Sequence, residues 1–283
     1  MTKKIIEAKI LSNEQIASEI FRIILKVDGE EMDAAPGQFV NLYLHDKSML
    51  LPRPISICFA EPGRITLVYK VVGKGTEALS GYCEGNVIRI STPLGNGYDL
   101  DGALSTAENG TIALVAGGLG VPPMVELAKV IRKRFNGFKQ NENKESGSTE
   151  NSKTTKLIAI IGFQDEVFLD NVLKNYCDEV YIATETGTSG FQGNVIELMK
   201  AEGIGADYYF SCGPKPMLKA LAGYCAQVGR PLQLSLEERM GCGYGACVGC
   251  TCKTKETEDG KEKVTQKKVC KDGPVFFGNE VVW

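Results

Sequence analysis

The chain has 283 residues, more than one typical domain, so we expect two or three domains. Hydrophobic residues make up 43% of it and charged residues 24%, a composition typical of globular proteins. The net charge of −3 gives no reason to expect nucleic acid or an anionic membrane surface as a partner. The sequence lacks the apolar core of a secretion signal and any stretch of about 18 apolar residues that could span a bilayer, so we expect a cytoplasmic protein.

Predicted strands dominate residues 1–101. Apolar, β-branched and aromatic residues recur there in short segments that Gly and Pro separate. Short strands at regular spacing favour an antiparallel barrel or sandwich. The predicted strands cover residues 20–27, 38–44, 55–59, 65–72 and 87–92.

Strands and helices alternate from residue 102 to 232, which is typical of a doubly wound parallel α/β sheet. The predicted strands cover residues 111–116, 157–161, 180–183 and 207–211, and the predicted helices cover residues 122–134, 166–176, 194–200 and 217–226. Residues 136–156 are polar and poor in apolar side chains. We predict that they form a flexible insert without a chemical role.

Two segments of the barrel region carry groups that suit a phosphate-bearing cofactor. In Arg53-Pro54-Ile55-Ser56, the guanidinium can grip a pyrophosphate and the hydroxyl can reach a ring nitrogen. The alternative is an arginine on an edge strand and a serine within the ladder. After Lys70-Val71-Val72 a glycine turn leads into a predicted helix, where Gly75 and Thr76 would offer N–H groups and a hydroxyl to an anion. The alternative there is an ordinary helix start capped by Thr76.

Three strand ends of the α/β region carry candidate binding residues. Glycines follow its first strand at Gly117, Gly118 and Gly120. They would let a pyrophosphate approach the backbone, unless they serve packing alone. Cys212 and Gly213 end a later strand and would face the same crevice, because ligands bind beyond the carboxyl ends of parallel strands. Glu185 ends another strand, where a carboxylate could accept from a ribose hydroxyl and repel a 2′-phosphate, or could be a solvated loop acid.

Four of the ten cysteines form the most specific pattern in the chain. They are Cys242, Cys247, Cys250 and Cys270. The first three follow C-x₄-C-x₂-C, the plant-type ferredoxin spacing for a [2Fe–2S] cluster, and Gly243 and Gly245 permit a tight wrap. A zinc site would usually pair two C-x₂-C motifs or use histidines, and the one histidine is His45. We expect a [2Fe–2S] cluster, with zinc or unliganded thiols as the alternatives.

The other cysteines are expected to have no ligand role. Cys252 is predicted to be dispensable, because the C-x₂-C step selects Cys250. Four isolated cysteines are predicted to pack as small hydrophobic residues, namely Cys58, Cys83, Cys177 and Cys225. Residues 233–283, with a hairpin turning near residues 258–260, form a piece so short that it needs the cluster and a neighbouring domain for stability.

With these residues assembled, residues 1 to about 230 resemble the ferredoxin–NADP reductase superfamily. Arg53 and Ser56 match the barrel motif R-x-Y-S, in which Ile55 stands here for the tyrosine. The resemblance implies that Arg53 binds the FAD pyrophosphate and that Ser56 lies near flavin N5. It also implies a second phosphate contact at Gly75 and Thr76, and a strand end at residues 70–72 near the ribityl and adenosine side.

The same resemblance extends to the α/β region. It implies that the glycines after the first strand form the nicotinamide-dinucleotide loop, and that Cys212-Gly213 lies near the reactive ring. Ser56 and Cys212 are therefore the residues expected beside the reacting atoms. The implied division is an FAD-binding domain in residues 1–101, an NAD-binding domain in 102–232 and a cluster subdomain in 233–283.

The cysteine segment narrows the resemblance. It is similar to the electron-transfer subunits of two-component, NAD-dependent (type 1B) dihydroorotate dehydrogenases of pyrimidine biosynthesis, and the similarity spans the chain apart from residues 136–156. That family implies FAD, a [2Fe–2S] cluster, NAD and an FMN-containing catalytic partner in a heterotetramer. The alternatives are small subunits of sulfide dehydrogenases or NADH-dependent ferredoxin–NADP oxidoreductases, oxygenase reductase components, and a zinc-stabilised binding module.

Overall fold

The chain divides into two compact units. The barrel unit comprises Met1–Tyr98 and Leu234–Trp283, and the α/β unit comprises Asp99–Gln233. The computed structural model describes residues 3–27, 32–46, 48–142, 155–258 and 261–283. The barrel and the cysteine-rich segment therefore belong to one unit, whereas the division of the chain into three domains by cofactor stays a prediction.

The two units contain fifteen described strands and seven described α-helices. The strands are β1 (Ile5–Ala17), β2 (Ile20–Val27), β3 (Phe39–Tyr43), β4 (Arg53–Glu61), β5 (Arg64–Lys70), β6 (Val87–Ser91), β7 (Thr111–Gly117), β8 (Lys156–Phe163), β9 (Glu179–Thr184), β10 (Phe191–Gln192), β11 (Tyr208–Cys212), β12 (Leu232–Ser235), β13 (Thr251–Glu258), β14 (Lys261–Lys268) and β15 (Val275–Phe277). The helices are α1 (Lys74–Ser80), α2 (Leu100–Thr106), α3 (Val121–Glu142), α4 (Asp170–Leu173), α5 (Val195–Ala201), α6 (Lys215–Val228) and α7 (Val269–Asp272). No helix in the described ranges is long and apolar enough to cross a membrane.

The barrel unit is built on a closed antiparallel barrel with the strand order β1-β2-β5-β4-β3-β6. Alternate residues of each strand fill its core, as Ile23, Leu25 and Val27 of β2 do. The predicted antiparallel barrel is therefore confirmed. Strand β1 was not predicted, because polar residues interrupt its apolar pattern, and it is fixed by pairing with β2 and β6.

The C-terminal part of the barrel unit contains the predicted hairpin. Strands β13 and β14 pair as antiparallel neighbours, with Thr254 opposite Thr265. Helix α7 follows at once and carries Cys270. The predicted turn near residues 258–260 falls largely on residues 259 and 260, which lie outside the described residues.

The α/β unit contains a sheet with the strand order β10-β9-β8-β7-β11, and β12 follows β11. Strands β7, β8, β9, β10 and β11 pair in parallel, which confirms the doubly wound prediction. Because the carboxyl ends of β7 and β11 are neighbours, the segments that follow them lie at one edge of the sheet.

Two predictions for this unit are wrong in part. Helix α3 continues to Glu142, so residues 136–142 of the predicted flexible insert are helical; Lys, Gln and Glu favour helices despite their polarity. Residues 143–154 of that insert lie outside the described residues, and β8 begins at Lys156. The helix predicted over residues 166–176 is only α4, because Leu169 adopts a left-handed φ of 64° that a helix cannot run through.

Candidate functional site

The structure brings Arg53 and Gly75 of the barrel unit together. Arg53 begins β4, and Gly75 lies in the first turn of α1. A Cβ atom at Gly75 would overlap the Arg53 guanidinium, so the glycine makes room for that group. Arg53 Nη1 also donates to the Leu51 carbonyl at 2.6 Å. A cation therefore lies beside a helix start whose first N–H groups have no helical partner.

Thr76 uses its hydroxyl within its own turn. Its Oγ1 accepts from the backbone N–H of Val72 at 2.9 Å and of Gly73 at 3.3 Å, and donates to the Gly73 carbonyl at 3.1 Å. The N-cap of α1 is Gly73, in extended backbone with φ 175°. Thr76 is therefore not the N-cap residue, but its side chain caps the N-terminus of α1 from the third helical position by accepting from the Gly73 N–H. Because its hydroxyl is engaged in this way, its contribution to an anion site comes from its backbone N–H.

The register of β4 shows whether each residue of the Arg53–Ser56 motif lies on the inner or the outer face of the barrel. Ile55 lies opposite Val40 and packs against the barrel core. Ser56 lies opposite Phe39, and Pro54 lies opposite Asn41. Since paired residues share a face, Ser56 and Pro54 lie on the outer face of the barrel.

The strand end before α1 is open to solvent. Lys70 ends β5 and forms an ion pair with Glu19 at 3.5 Å. The Val71 N–H donates to the Glu19 carbonyl at 2.8 Å, and the Val72 side chain is 78% exposed. These residues fix the path into the glycine turn and leave an apolar side chain at the surface.

In the α/β unit the predicted glycine loop lies against the predicted Cys-Gly turn. A Cβ atom at Gly120 would overlap the Cys212 carbonyl group, and one at Gly213 would come within 2.9 Å of the Gly117 backbone nitrogen. Gly118 has a left-handed φ of 51° and begins a short 3₁₀ helix that leads into α3. The loop after β7 and the turn after β11 thus form one narrow backbone cradle.

Glu185 follows β9 directly and its side chain is exposed. Its backbone N–H donates to the Phe163 carbonyl at 3.1 Å, which continues the pairing with β8. No lysine or arginine occurs among residues 181–190. A ligand phosphate beside Glu185 would therefore meet negative charge without local compensation.

The cysteine loop, residues 242–250, has the backbone of a tight wrap. Gly243, Gly245 and Val248 have φ values of 77°, 83° and 50°. Such left-handed positions favour glycine, as the sequence has at the first two. They turn successive N–H groups toward the cysteine sulfurs.

The four predicted ligand cysteines form two pairs. The Cys247 N–H donates to Cys242 Sγ at 3.5 Å, and the Cys270 N–H donates to Cys250 Sγ at 3.4 Å. The Gly245 N–H donates to Cys270 Sγ at 3.1 Å and thereby joins the loop to α7. Cys250 and Cys270 are buried, whereas Cys247 is exposed, so one edge of this group faces solvent.

Two thiols of this group differ in acidity. Burial raises the pKa of Cys242, but the backbone N–H groups of Cys247 and Tyr244 donate to its sulfur and outweigh burial, and its pKa falls to about 6. Burial and the neighbouring Cys250 sulfur raise the pKa of Cys270 to about 12. Because cysteine binds metal as a thiolate, metal binding would have to remove the proton from the Cys270 thiol.

The cysteine donor set fits a two-iron cluster. Four cysteine sulfurs could ligate two irons, and backbone N–H groups donate to three of these sulfurs, as hydrogen bonds to sulfur do at iron–sulfur sites. The residues present therefore fit the predicted [2Fe–2S] group.

The cysteine loop is fastened to the barrel by residues that the sequence analysis missed. Asn41 Nδ2 donates to the Cys242 carbonyl at 2.9 Å, and the hydroxyls of Tyr43 and Tyr244 lie 2.9 Å apart. Lys268 Nζ donates to the Gly245 carbonyl at 2.7 Å. A polar Asn in the apolar strand Phe39–Tyr43 was the available signal.

The isolated cysteines mostly pack as predicted. Cys58, Cys177 and Cys225 are buried, and burial raises the pKa of Cys177 and of Cys225 to about 12. Cys83 is exposed, so the prediction that it packs as a small hydrophobic residue is wrong. It follows α1 in a surface turn, where its N–H donates to Asn86 Oδ1.

Comparison with solved structures defines the class of protein. A structure of NADH-dependent reduced ferredoxin–NADP oxidoreductase, described for flavin-based electron bifurcation, is similar with TM-score 0.75 and 28% identity, over 98% of this chain and 90% of that one. A ferredoxin NADP⁺ reductase from Neisseria gonorrhoeae with bound FAD and NADP is similar with TM-score 0.61 and 16% identity, over 83% and 94%. The chain has the fold of the ferredoxin–NADP reductase-like flavin oxidoreductases.

Comparison with curated proteins and family models is more specific. The family model for the iron–sulfur cluster binding domain of dihydroorotate dehydrogenase B matches residues 237–282. The dihydroorotate dehydrogenase B (NAD(+)) electron transfer subunit of Fusobacterium nucleatum is 38% identical over 98% of both chains, and that of Clostridium acetobutylicum is 36% identical over 100% of this chain and 99% of its own. The chain belongs to the family of electron transfer subunits of NAD-dependent dihydroorotate dehydrogenase B.

Proposed function

We propose that this chain carries electrons from a dihydroorotate-oxidising partner subunit to NAD⁺, through a [2Fe–2S] cluster and FAD. The observation that carries the proposal is the group of four cysteines, which are arranged as two pairs. Asn41 and Tyr43 hold the cysteine loop on the outer face of a barrel of the flavin-reductase type. A bound flavin takes up or gives up a hydride and exchanges electrons singly, whereas the cluster carries one electron at a time. Oxidation of dihydroorotate to orotate releases two electrons and two protons, and NAD⁺ takes two electrons and one proton.

The barrel unit supplies the FAD site. Arg53 grips the pyrophosphate, and the first-turn N–H groups of Gly75 and Thr76 add a second phosphate contact. The backbone of Pro54 and Ile55 lines the site, and Ser56 lies near flavin N5. The strand end at residues 70–72 borders the ribityl and adenosine side.

The α/β unit supplies the NAD site. The backbone of Gly117, Gly118 and Gly120 admits the pyrophosphate, and Cys212-Gly213 lies near the nicotinamide ring. Glu185 accepts from a ribose hydroxyl and repels a 2′-phosphate, so the site prefers NAD over NADP. The tight cradle between these segments supports the assignment.

The catalytic partner is an FMN-containing dihydroorotate dehydrogenase subunit, and the assembly is a heterotetramer in the cytoplasm. The exposed edge at Cys247 is the side from which electrons reach the cluster. Charges along the neighbouring hairpin are mixed, for example in the pairs Lys267–Glu256 and Lys255–Glu262, which favours stable assembly over electrostatically steered, transient docking.

Reconstitution from separately purified chains tests the proposal. The isolated chain should bind FAD, be reduced by NADH and pass electrons to artificial acceptors, but should not oxidise dihydroorotate. Adding an FMN-containing catalytic subunit should create dihydroorotate-to-NAD⁺ activity and a complex that is stable to salt in size-exclusion chromatography. Dihydroorotate oxidation by this chain alone would refute the proposal.

The ligand assignment has its own test. Serine variants of Cys242, Cys247, Cys250 or Cys270 should each lose the [2Fe–2S] signal in electron paramagnetic resonance, because each opens an iron coordination position. Cys252→Ser is the matched control and should keep the signal. A normal spectrum from Cys247→Ser, or none from Cys252→Ser, would contradict the assignment.

The similar bifurcating oxidoreductase favours a second candidate, in which the same relay serves ferredoxin instead of dihydroorotate. Both candidates need the same three cofactor sites in this chain. They differ in the partner, so the separating measurement is ferredoxin reduction against orotate formation with each purified partner. Efficient ferredoxin reduction without coupling to a dihydroorotate-oxidising subunit would establish the second candidate.

A further inference from the structure

Strand β3 presents a polar residue where the cysteine loop covers the barrel. Val40 and Leu42 lie in the barrel core, so Phe39, Asn41 and Tyr43 lie on the outer face. Asn41 is nevertheless 0% exposed. Its burial outside the core reflects contact with the cysteine loop.

Asn41 is fixed on both sides. Its backbone N–H donates to Ser91 Oγ at 2.9 Å, and its Nδ2 donates to the Cys242 carbonyl at 2.9 Å. A Cβ atom at Gly243 would lie 2.5 Å from Asn41 Nδ2, so only glycine lets the loop approach this closely. The amide therefore sets the position of the peptide that follows the first ligand cysteine.

Packing alone does not account for an asparagine here. Asn41 Oδ1 is buried and has no hydrogen-bond partner within the described ranges. An unpaired buried oxygen is unfavourable, and a leucine of similar volume would avoid it. Leucine, however, has no N–H group to donate to the Cys242 carbonyl.

The strand register links this contact to the residue assigned to flavin N5. Asn41 lies opposite Pro54, and Ser56 is two residues further along β4. Asn41 and Ser56 are thus diagonal neighbours on one face, at a separation of about 7–8 Å. Asn41 thus lies on the strand next to β4 and contacts the cysteine loop.

We propose that Asn41 is a positioning residue for electron transfer between the cluster and the flavin. It holds the Cys242 peptide against the barrel face that carries Ser56. One electron passes between flavin and cluster, and Asn41 itself exchanges neither electron nor proton. The inference rests on the proposed function, which places FAD at Ser56 and the cluster at the four cysteines.

The test uses the isolated holoprotein, mixed anaerobically with NADH. Flavin bleaching is followed by absorbance, and cluster reduction is followed by freeze-quenched electron paramagnetic resonance. Asn41→Leu should slow cluster reduction by about tenfold, because the Cys242 peptide is no longer held in place against the barrel, while flavin bleaching stays within about twofold. Tyr43→Phe removes a hydrogen bond between the same strand and the same loop but leaves the Cys242 peptide bound to Asn41, so it should slow cluster reduction less than Asn41→Leu does and keep flavin bleaching within about twofold of wild type.

A second variant keeps the side-chain volume. Asn41→Asp replaces the donating amide by a carboxylate beside the Cys242 carbonyl, and its negative charge disfavours an added electron on the cluster. The electron equilibrium should shift from cluster to flavin by about tenfold, or about 59 mV for one electron, in a redox titration. If Asn41→Leu assembles no cluster, Asn41→Asp still tests whether Asn41 affects electron transfer between the cluster and the flavin.

Wild-type rates and potential in both Asn41 variants would overturn the inference, as would equal slowing in Tyr43→Phe. Loss of the cluster from both Asn41 variants, with Tyr43→Phe intact, would assign Asn41 to folding and overturn it as well. A wild-type chain without FAD or without a [2Fe–2S] signal would instead refute the proposed function, so the two failures are distinguishable.

Discussion

Each unit has a glycine turn that leads from a strand into a helix, and the two turns exclude side chains for different reasons. In the barrel unit, Gly75 leaves room for the charged end of a flexible side chain, the Arg53 guanidinium. In the α/β unit, Gly120 leaves room for backbone, the Cys212 carbonyl and the peptide after it. The first turn holds a cation beside N–H groups, whereas the second brings two backbone segments into contact.

A glycine turn between a strand and a helix can therefore form an anion site by two kinds of chemistry. A guanidinium contributes charge and bidentate hydrogen bonds, and it can move aside when crowded. A backbone cradle contributes only shape and N–H dipoles, and it cannot move without disturbing two strands. The α/β turn should therefore tolerate substitution less well than the barrel turn.

The largest effect is expected at Gly120. In Gly120→Ala the new methyl group overlaps backbone, so we expect the α/β unit to lose about 3 kcal/mol of stability and the protein to lose reduction by NADH. FAD and the cluster, assigned to the barrel unit, should remain bound. Thermal unfolding and NADH-driven ferricyanide reduction measure these effects.

Gly118→Ala is the matched control for that variant. Gly118 has a left-handed φ of 51°, but no atom lies within 4 Å of a Cβ placed there. Alanine should cost about 1–2 kcal/mol through backbone strain alone. Equal effects of the two variants would show that the close approach at Gly120 is not what matters.

A smaller effect is expected at the barrel turn. Arg53→Ala removes a charged contact to the pyrophosphate, which corresponds to about 1.5–3 kcal/mol, or roughly 10–150-fold weaker FAD binding. Gly75→Ala displaces the guanidinium without removing it, so FAD binding should weaken by about tenfold while the fold survives. Fluorescence titration of FAD into flavin-depleted protein measures both.

Gly73→Ala is the control in this turn, because no atom lies within 4 Å of a Cβ at Gly73 and its φ of 175° suits any residue. It should bind FAD within about twofold of wild type. If Gly75→Ala weakened FAD no more than Gly73→Ala does, the contact with Arg53 would have no part in binding.

The sequence predicted those features whose signals are local. Alternating apolar residues predicted β2. The spacing of Cys242, Cys247 and Cys250 predicted a tight loop, and in the structure an N–H group of that loop donates to the sulfur of its first cysteine. Strand β1 escaped prediction because its polar residues hide the alternation, and its pairing with β6 joins distant segments.

The fastening of the cysteine loop escaped prediction for the same reason. Asn41 and Cys242 are separated by 201 positions, and they meet only because the C-terminal segment folds back onto the barrel within one unit. The polar Asn41 in an otherwise apolar strand indicates a polar contact, but the local sequence cannot reveal that the partner is the cysteine loop. Gly243 was predicted for the tight wrap alone, and the structure adds a second reason, since a Cβ atom there would meet the Asn41 amide.

The smallest effect is expected at Glu185, which follows β9 and lies outside both glycine turns. If the glycine cradle of the α/β unit binds pyrophosphate by backbone alone, it cannot distinguish NAD from NADP, and a side chain elsewhere must do so. Glu185 is exposed beyond β9, with no lysine or arginine among residues 181–190. Wild-type protein should therefore favour NADH in kcat/KM, and Glu185→Gln should narrow the NADH-to-NADPH ratio by about tenfold, the equivalent of about 1.4 kcal/mol. Glu202→Gln, which removes an equal charge at the end of α5, should leave the ratio unchanged. Equal kcat/KM for the two cofactors in wild-type protein would show that Glu185 exerts no such selection.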